Sequence, residues 1–238
     1  MTAVPPTVPD GPPSAQDVRA RLERLRARIV AAGGDPDVVT VLAVTKGHPA
    51  AVVDVARGAG LTELGENYAQ ELLAKVAWSE QHPASGGPAR WHFIGHLQRN
   101  KVRQLAAHVA LWQSIDRAEL ATEVARRAPG ARVLIQVNAT GEPQKAGCPV
   151  AQTTALVDHA GGLGLDVAGL MTVGPTDATV DPRPGFDVVR GLVDRLALSV
   201  CSMGMTDDLE VAVRCGSTMV RVGTALFGPR STSLAVRD

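Results

Sequence analysis

A chain of 238 residues with 45% hydrophobic side chains carries enough apolar material for a large core, and its length fits one α/β barrel of roughly 250 residues. Its 24 Lys and Arg are cancelled by 24 Asp and Glu with no block of basic residues, so nonspecific nucleic-acid binding has no electrostatic footprint and an anionic ligand must be caught locally. Cys148, Cys201 and Cys215 match neither a zinc pattern nor a disulfide framework, the histidines lack metal-ligand spacing, and no apolar stretch approaches the roughly 20 residues of a membrane span, so the expectation is a cytoplasmic protein with reduced thiols and neither metal nor membrane.

Residues 1–14 carry Pro5, Pro6, Pro9, Pro12 and Pro13 but neither a basic n-region nor an apolar h-region, so they read as a disordered tail and not as a secretory signal. Residues 15–238 are expected to form one domain. From Ser14 to Ala32, the apolar positions Val18, Leu22, Leu25, Ile29 and Val30 recur at helical spacing, which predicts an amphipathic helix. Short apolar and β-branched runs then alternate with helical stretches. Strands are expected over 39–45, 62–65, 91–95, 111–115, 132–137, 166–170, 198–202 and 218–222. Helices are expected over 49–59, 67–78, 99–108, 117–128, 150–160, 185–197 and 206–214.

Strand and helix in alternation imply parallel strands, and near-continuous apolar runs such as Val133-Leu134-Ile135 imply burial on both faces. Eight such strands predict a single (β/α)8 TIM-type barrel of the α/β class with an extra N-terminal helix, with an open doubly wound sheet as the alternative. The stretches 81–90 and 174–184 read as surface loops, and the short remainder after Phe227-Gly228 leaves no room for a second domain.

In a parallel barrel every strand delivers its last residues to one rim. In chain order the exits are Lys46, Glu66-Asn67, His96, Ser114 to Asp116, Asn138, Met171, Ser202 and Arg221 to Gly223. Lys46 follows the apolar run Val41-Leu42-Ala43-Val44-Thr45. A lysine desolvated there loses part of its preference for the ammonium form, and the free amine can condense with an aldehyde such as pyridoxal phosphate. By itself, however, a strand-end lysine is more often snorkelling or salt-bridged. Arg221-Val222-Gly223-Thr224 offers a guanidinium, close backbone approach, and amide and hydroxyl donors suited to a phosphate and a ring nitrogen. Ser202-Met203-Gly204 adds a hydroxyl and further amides, unless these glycines only turn the chain. Ser217 and Thr218 enter the last strand and so belong to the opposite rim. His92 lies inside the third strand as a core group, and Gln136, Asn138, Glu142 and Lys145 cluster at the fifth exit, where they can satisfy one another.

These residues fall in ordered blocks: Ala43-Val44-Thr45-Lys46, Gly65-Glu66-Asn67-Tyr68, Trp91-His92-Phe93-Ile94-Gly95-His96-Leu97-Gln98-Arg99-Asn100-Lys101, Gln136-Val137-Asn138, Gly169-Leu170-Met171-Thr172, Ser202-Met203-Gly204-Met205 and Gly216-Ser217-Thr218-Met219-Val220-Arg221-Val222-Gly223. Over residues 38–228 the chain thereby resembles the pyridoxal-phosphate homeostasis family, which is similar to the barrel domain of alanine racemase. The resemblance implies that Lys46 forms an internal aldimine with pyridoxal 5'-phosphate, with Arg221 near the pyridine nitrogen, Ser202, Gly223 and Thr224 on the phosphate, and Asn67 beside the cofactor. Thr45 stands where many relatives carry serine, and Gly47-His48 follows the lysine where threonine is more usual; neither removes a donor that the aldimine needs.

An arginine at the ring nitrogen disfavours the proton that makes the cofactor an electron sink. The resemblance further implies that racemases take a second base, a tyrosine, from another domain of a partner subunit, whereas the only tyrosine here is Tyr68. The expectation is therefore a non-catalytic, monomeric protein that buffers or delivers pyridoxal 5'-phosphate, with apo-enzymes as candidate partners. A single-domain amino-acid racemase using Lys46 with Tyr68 or a water is the alternative. A barrel enzyme acting on an unrelated phosphorylated metabolite is a third reading.

Overall fold

Helix α1 (Ala15–Ala31) starts at a capping box, in which the Asp17 N–H donates to the Ser14 hydroxyl at 3.1 Å and the Ser14 N–H donates to the Asp17 carboxylate at 2.9 Å. The computed structural model describes residues 13–82 and 86–229, so the expected tail lies outside the described residues apart from Pro13 and Ser14. Val18, Leu22, Leu25 and Ile29 form the buried stripe of α1, but Val30, expected on the same face, is 56% exposed. One residue past Ile29 is a rotation of about 100° around the helix, which carries Val30 off the stripe.

The strands that follow are β1 (Thr40–Val44), β2 (Glu63–Glu66), β3 (Arg90–Phe93), β4 (Val109–Ile115), β5 (Arg132–Asn138), β6 (Cys148–Pro149), β7 (Asp166–Met171), β8 (Val200–Ser202) and β9 (Met219–Val222). All pairings are parallel, in the order β4-β3-β2-β1-β9-β8-β7-β5, and β4 also pairs with β5, so the sheet closes on itself as an eight-stranded barrel. The two-residue β6, unforeseen in the sequence, hangs on the outer edge of β5. Between the strands run α2 (Val52–Gly58), α3 (Ala69–Gln81), α4 (Arg99–Leu105), α5 (Ala118–Arg127), α6 (Thr153–Gly162), α7 (Arg183–Arg195) and α8 (Leu209–Arg214). The chain adds a single turn, α9 (Thr224–Phe227), too short to show a periodicity. Among the described residues no helix is long and apolar enough to cross a membrane.

Side-chain alternation divides the apolar residues into two cores. The larger, including Leu64, Phe93, Trp112, Ile135, Leu170 and Val220, packs the outer face of the barrel against the helices. The smaller comprises Leu42, Leu111, Leu134, Ala168, Met171 and Met219, all from strands, and fills the barrel interior. Their neighbours on the same inner face include His92, Gln113, Ser202 and Arg221, all buried. The interior of this barrel is therefore part polar.

Gly169 on β7 sits opposite Val200 on β8, and a Cβ on it would lie 1.9 Å from the Val200 carbonyl oxygen. Backbone cannot yield as a flexible side chain can. Gly169→Ala is therefore expected to cost about 3 kcal/mol in urea denaturation, at the upper end of overpacking penalties; a loss below about 0.5 kcal/mol, the scatter of neutral surface changes, would show that the β7–β8 contact is looser than described.

Candidate functional site

A cavity of about 430 Å³ opens on the C-terminal rim, where β1, β2, β3, β7, β8 and β9 discharge. Lys46, Asn67, Arg221, Gly223 and Thr224 all line it, drawn together from positions as far apart as 178 residues (224 − 46). Ser202 does not line it. Its hydroxyl is fully buried one layer below, donating to Gln113 Oε1 at 2.8 Å and accepting from Arg221 Nη1 at 2.9 Å. The remaining wall is His48, the apolar Val44, Ile94 and Val173, and Met205, Thr206 and Asp207 of the loop after β8.

Lys46 sits two residues beyond β1, half-buried, and both its neighbours are anchored. On one side the Thr45 hydroxyl donates to Glu66 Oε1 at 2.5 Å, while Lys75 Nζ donates to the Thr45 carbonyl at 2.7 Å and to Glu66 Oε1 at 2.5 Å. On the other the Gly47 N–H donates to Glu71 Oε2 at 2.7 Å. The backbone that presents Lys46 is thus gripped by two carboxylates and an ammonium. Burial pushes the Glu66 carboxyl above the ordinary range, and the Lys75 ammonium and Thr45 hydroxyl pull it partly back. Glu66 Oε2 has no protein partner.

Lys75 went unremarked in the sequence, although a signal was there. It shares the buried face of α3 with Leu72 and Val76, and a lysine on an apolar stripe needs an acid to receive it. Glu71 and Glu66, four and nine residues earlier, supply it.

Asn67 follows β2 at the cavity wall, and its Oδ1 is buried with no protein partner. A half-turn of the amide would present the nitrogen instead, so the group offers a ligand an acceptor or a donor. Close packing holds it: a Cβ on Gly95, just past β3, would lie 2.0 Å from the Asn67 carbonyl oxygen.

Arg221, on β9, is 5% exposed. Nη1 donates to the Ser202 carbonyl (2.8 Å) and hydroxyl, and Nη2 donates to the Thr172 carbonyl at 2.7 Å. Three of its five N–H donors are thereby committed and two are left. Burial lowers the guanidinium to about 10, which leaves it cationic at neutral pH. Gly223 and Thr224 begin α9, and the first N–H groups of any helix lack intrahelical acceptors. A cation with uncommitted donors and the first turn of a helix therefore face one cavity with Lys46. This set suits an anionic, hydrogen-bonding ligand of modest size.

The other rim residues behave differently. Tyr68 is 46% exposed at the start of α3 and does not line the cavity. His96 is exposed. At the β5 exit, Asn138 Nδ2 donates to the Glu142 carbonyl, Gln136 Nε2 donates to the Ala146 carbonyl, and Lys145 lies 2.7 Å from Glu142, whose carboxyl its ammonium holds down at about 2. That cluster satisfies itself, as its spacing suggested. Ser217 and Thr218 bond the backbone at the other end of β9, the Ser217 hydroxyl donating to the Met203 carbonyl and the Thr218 hydroxyl accepting from the Cys201 N–H.

Residues 14–231 match the family described as alanine racemase, N-terminal domain. The pyridoxal phosphate homeostasis protein of Pseudomonas aeruginosa is 40% identical over 224 residues, covering 91% of this chain and 95% of that protein. Its namesake in Escherichia coli (strain K12) is 36% identical over 234 residues, covering 91% and 98%. Among solved structures, PipY of Synechococcus elongatus PCC7942 with PLP bound superposes with a TM-score of 0.75 at 32% identity, over 89% of this chain and 100% of that one.

The Glu66–Lys75 pair generates a pH-dependent prediction. Lys75→Met leaves Glu66 as an unpaired buried charge and is expected to cost about 3–5 kcal/mol at pH 8. A carboxyl whose folded pKa is raised is stabilising below its unfolded pKa and loses that contribution as pH rises through the folded one. The loss in urea denaturation should thus be smaller at pH 5 than at pH 8, because the lower pH favours the protonated Glu66 carboxyl. An equal loss at both pH values would mean that Glu66 is already neutral at pH 8.

Proposed function

The chain belongs to the pyridoxal phosphate homeostasis protein family, and on that premise we propose that it holds pyridoxal phosphate reversibly on Lys46, buffering or delivering the cofactor without turnover of its own. The observation that carries this reading is the meeting of Lys46, Asn67, Arg221, Gly223 and Thr224 on one cavity. When bound, the cofactor supplies an aldehyde carbon to which an amine adds reversibly, and a phosphate that requires donors. Lys46 provides the amine. Gly223 and Thr224 provide backbone and hydroxyl donors for the phosphate, with Ser202 backing them from below through Arg221. Asn67 gives its unpartnered amide oxygen to the ring.

Arg221 faces the ring nitrogen in this reading. A guanidinium has no acceptor, so the nitrogen remains the acceptor and stays unprotonated. That weakens the electron sink on which transamination and decarboxylation depend. Racemisation tolerates an unprotonated ring but needs a second proton-transfer group across from Lys46. Tyr68, exposed and outside the cavity, is poorly placed for that task, while His48 and Asp207 do line the wall. His48 packs at 5.7 Å on Phe227.

The free, buried Cys148, Cys201 and Cys215 suit a reducing cytoplasm. The larger exposed apolar side chains, such as Val30, Val150 and Leu163, sit on separate helices or connections, which favours a monomer whose contacts with apo-enzymes are transient.

The test is borohydride reduction of the protein with added pyridoxal phosphate, followed by peptide mapping. Label is expected on Lys46 and should vanish in Lys46→Ala, while deuterium exchange at the α-carbon of L-alanine stays at background. Sustained exchange beyond one equivalent would make the protein a racemase; no adduct would return the barrel to a binder of some other phosphorylated metabolite.

A further inference from the structure

A chain of buried hydrogen bonds runs through the barrel interior from the cavity toward the opposite rim. Arg221 Nη1 donates to the Ser202 hydroxyl at 2.9 Å, that hydroxyl donates to Gln113 Oε1 at 2.8 Å, Gln113 Nε2 lies 2.8 Å from His92 Nδ1, and His92 Nε2 lies 2.6 Å from Glu63 Oε2. His92, Gln113, Ser202 and Arg221 are each at most 5% exposed. Gln113 is on β4 and Ser202 on β8, which are not neighbours in the sheet, so their bond crosses the lumen.

A carboxylate at one end and a guanidinium at the other constrain the sense of the links. The Glu63 carboxylate, held below the ordinary range in part by its bond to His92 and by nearby Arg90 and Arg132, can only accept, so His92 carries its proton on Nε2. The Gln113 amide nitrogen faces His92 Nδ1 and its oxygen faces Ser202, an orientation that matches a neutral imidazole with Nδ1 as the acceptor. The Ser202 proton must point at Gln113, and its lone pair is left for Arg221. Burial favours the pattern, because a polar group left without a complementary partner there would go unsatisfied.

We infer that Gln113 is a positioning residue for the cavity: held by His92 and Glu63, it fixes the Ser202 hydroxyl as an acceptor and thereby orients the Arg221 guanidinium whose two remaining N–H groups serve the ligand. The inference rests on the reading of the cavity as a pyridoxal phosphate site. It assigns Ser202 to the guanidinium and makes a mid-strand glutamine, remote from the rim, a determinant of affinity.

Gln113→Leu keeps the volume and removes the acceptor. The test compares the full-length protein with Gln113→Leu, Ser202→Ala, the double variant and Gln113→Glu, reading the dissociation constant for pyridoxal phosphate and the absorption maximum of the bound cofactor. Gln113→Leu and Ser202→Ala are each expected to weaken binding about tenfold, the scale of one buried hydrogen bond, and to move the maximum in the same direction. The double variant should be no weaker than the worse single one, because both break the same chain. Gln113→Glu should recover most of the affinity, since its carboxylate still accepts from Ser202 while a proton taken up on His92 Nδ1 meets its second oxygen. Wild-type affinity and spectrum in a folded Gln113→Leu would overturn the inference, as would additive losses in the double variant. If Gln113→Leu does not fold, His92→Phe, which removes the group that orients the amide, carries the same expectations. Failure of the underlying reading looks different: the unaltered protein itself would bind no pyridoxal phosphate.

Discussion

Pairing of β4 with β5 is the constraint on which the site depends. Trp112 opposite Val133 and Ile115 opposite Ile135 turn an open parallel sheet into a closed barrel, and closure brings the ends of strands far apart in sequence onto one rim. Lys46 and Arg221 then need no dedicated loop to meet, because β1 and β9 are adjacent, with Leu42 beside Arg221. The same closure encloses an interior that water does not enter freely. Each polar group inside it must find a partner among the strands or face the cavity.

The fold solves the problem of buried charge in two ways, one between the barrel wall and α3 and one within the barrel. Glu66 and Lys75 meet as an ion pair at 2.5 Å, both almost fully buried, behind the backbone that carries Lys46. Such a pair contributes little net stability, since desolvating two ions offsets most of their attraction. Its effect is geometric: it ties the end of β1, the end of β2 and helix α3 into one rigid support. Among the described residues Arg221 has no carboxylate at hydrogen-bond distance; its bonds go to two carbonyls and a hydroxyl, while Asp208 supports its charge from farther off. A cation held at hydrogen-bond distance by dipoles keeps most of its field for whatever anionic group enters. Leu42, Leu134 and Met171 fill the lumen around Arg221 and its partners.

Much of the fold was legible because strands buried on both faces print as continuous apolar runs, as at Val133-Leu134-Ile135, and because turn residues separate them. The exit rule then located Lys46, Asn67, Gly223 and Thr224, since a residue one or two places beyond a strand has only the rim to occupy, and Arg221, inside the end of β9, reaches the same cavity with its long side chain. It located Ser202 less well. Ser202 is the last residue of β8, still within the pleat, and side-chain alternation turns its hydroxyl inward to Gln113. Lys75 and Gln113 were missed for the same reason. Each is a polar residue amid apolar neighbours, and its partners, Thr45 and Glu66 or His92 and Ser202, come from other elements. Helix α9 and strand β6 span four and two residues, too few for any period to register.

By itself the sequence determined the alternation of strand and helix, the parallel barrel, and the residues delivered to its C-terminal rim, because these follow from hydrophobic period and chain direction, which are local properties. Only the tertiary structure decided which polar groups face the cavity and which face one another. That choice depends on the closed barrel setting β4 across from β8 and α3 behind β1, and on the cost of leaving any of those groups unpaired once water is excluded.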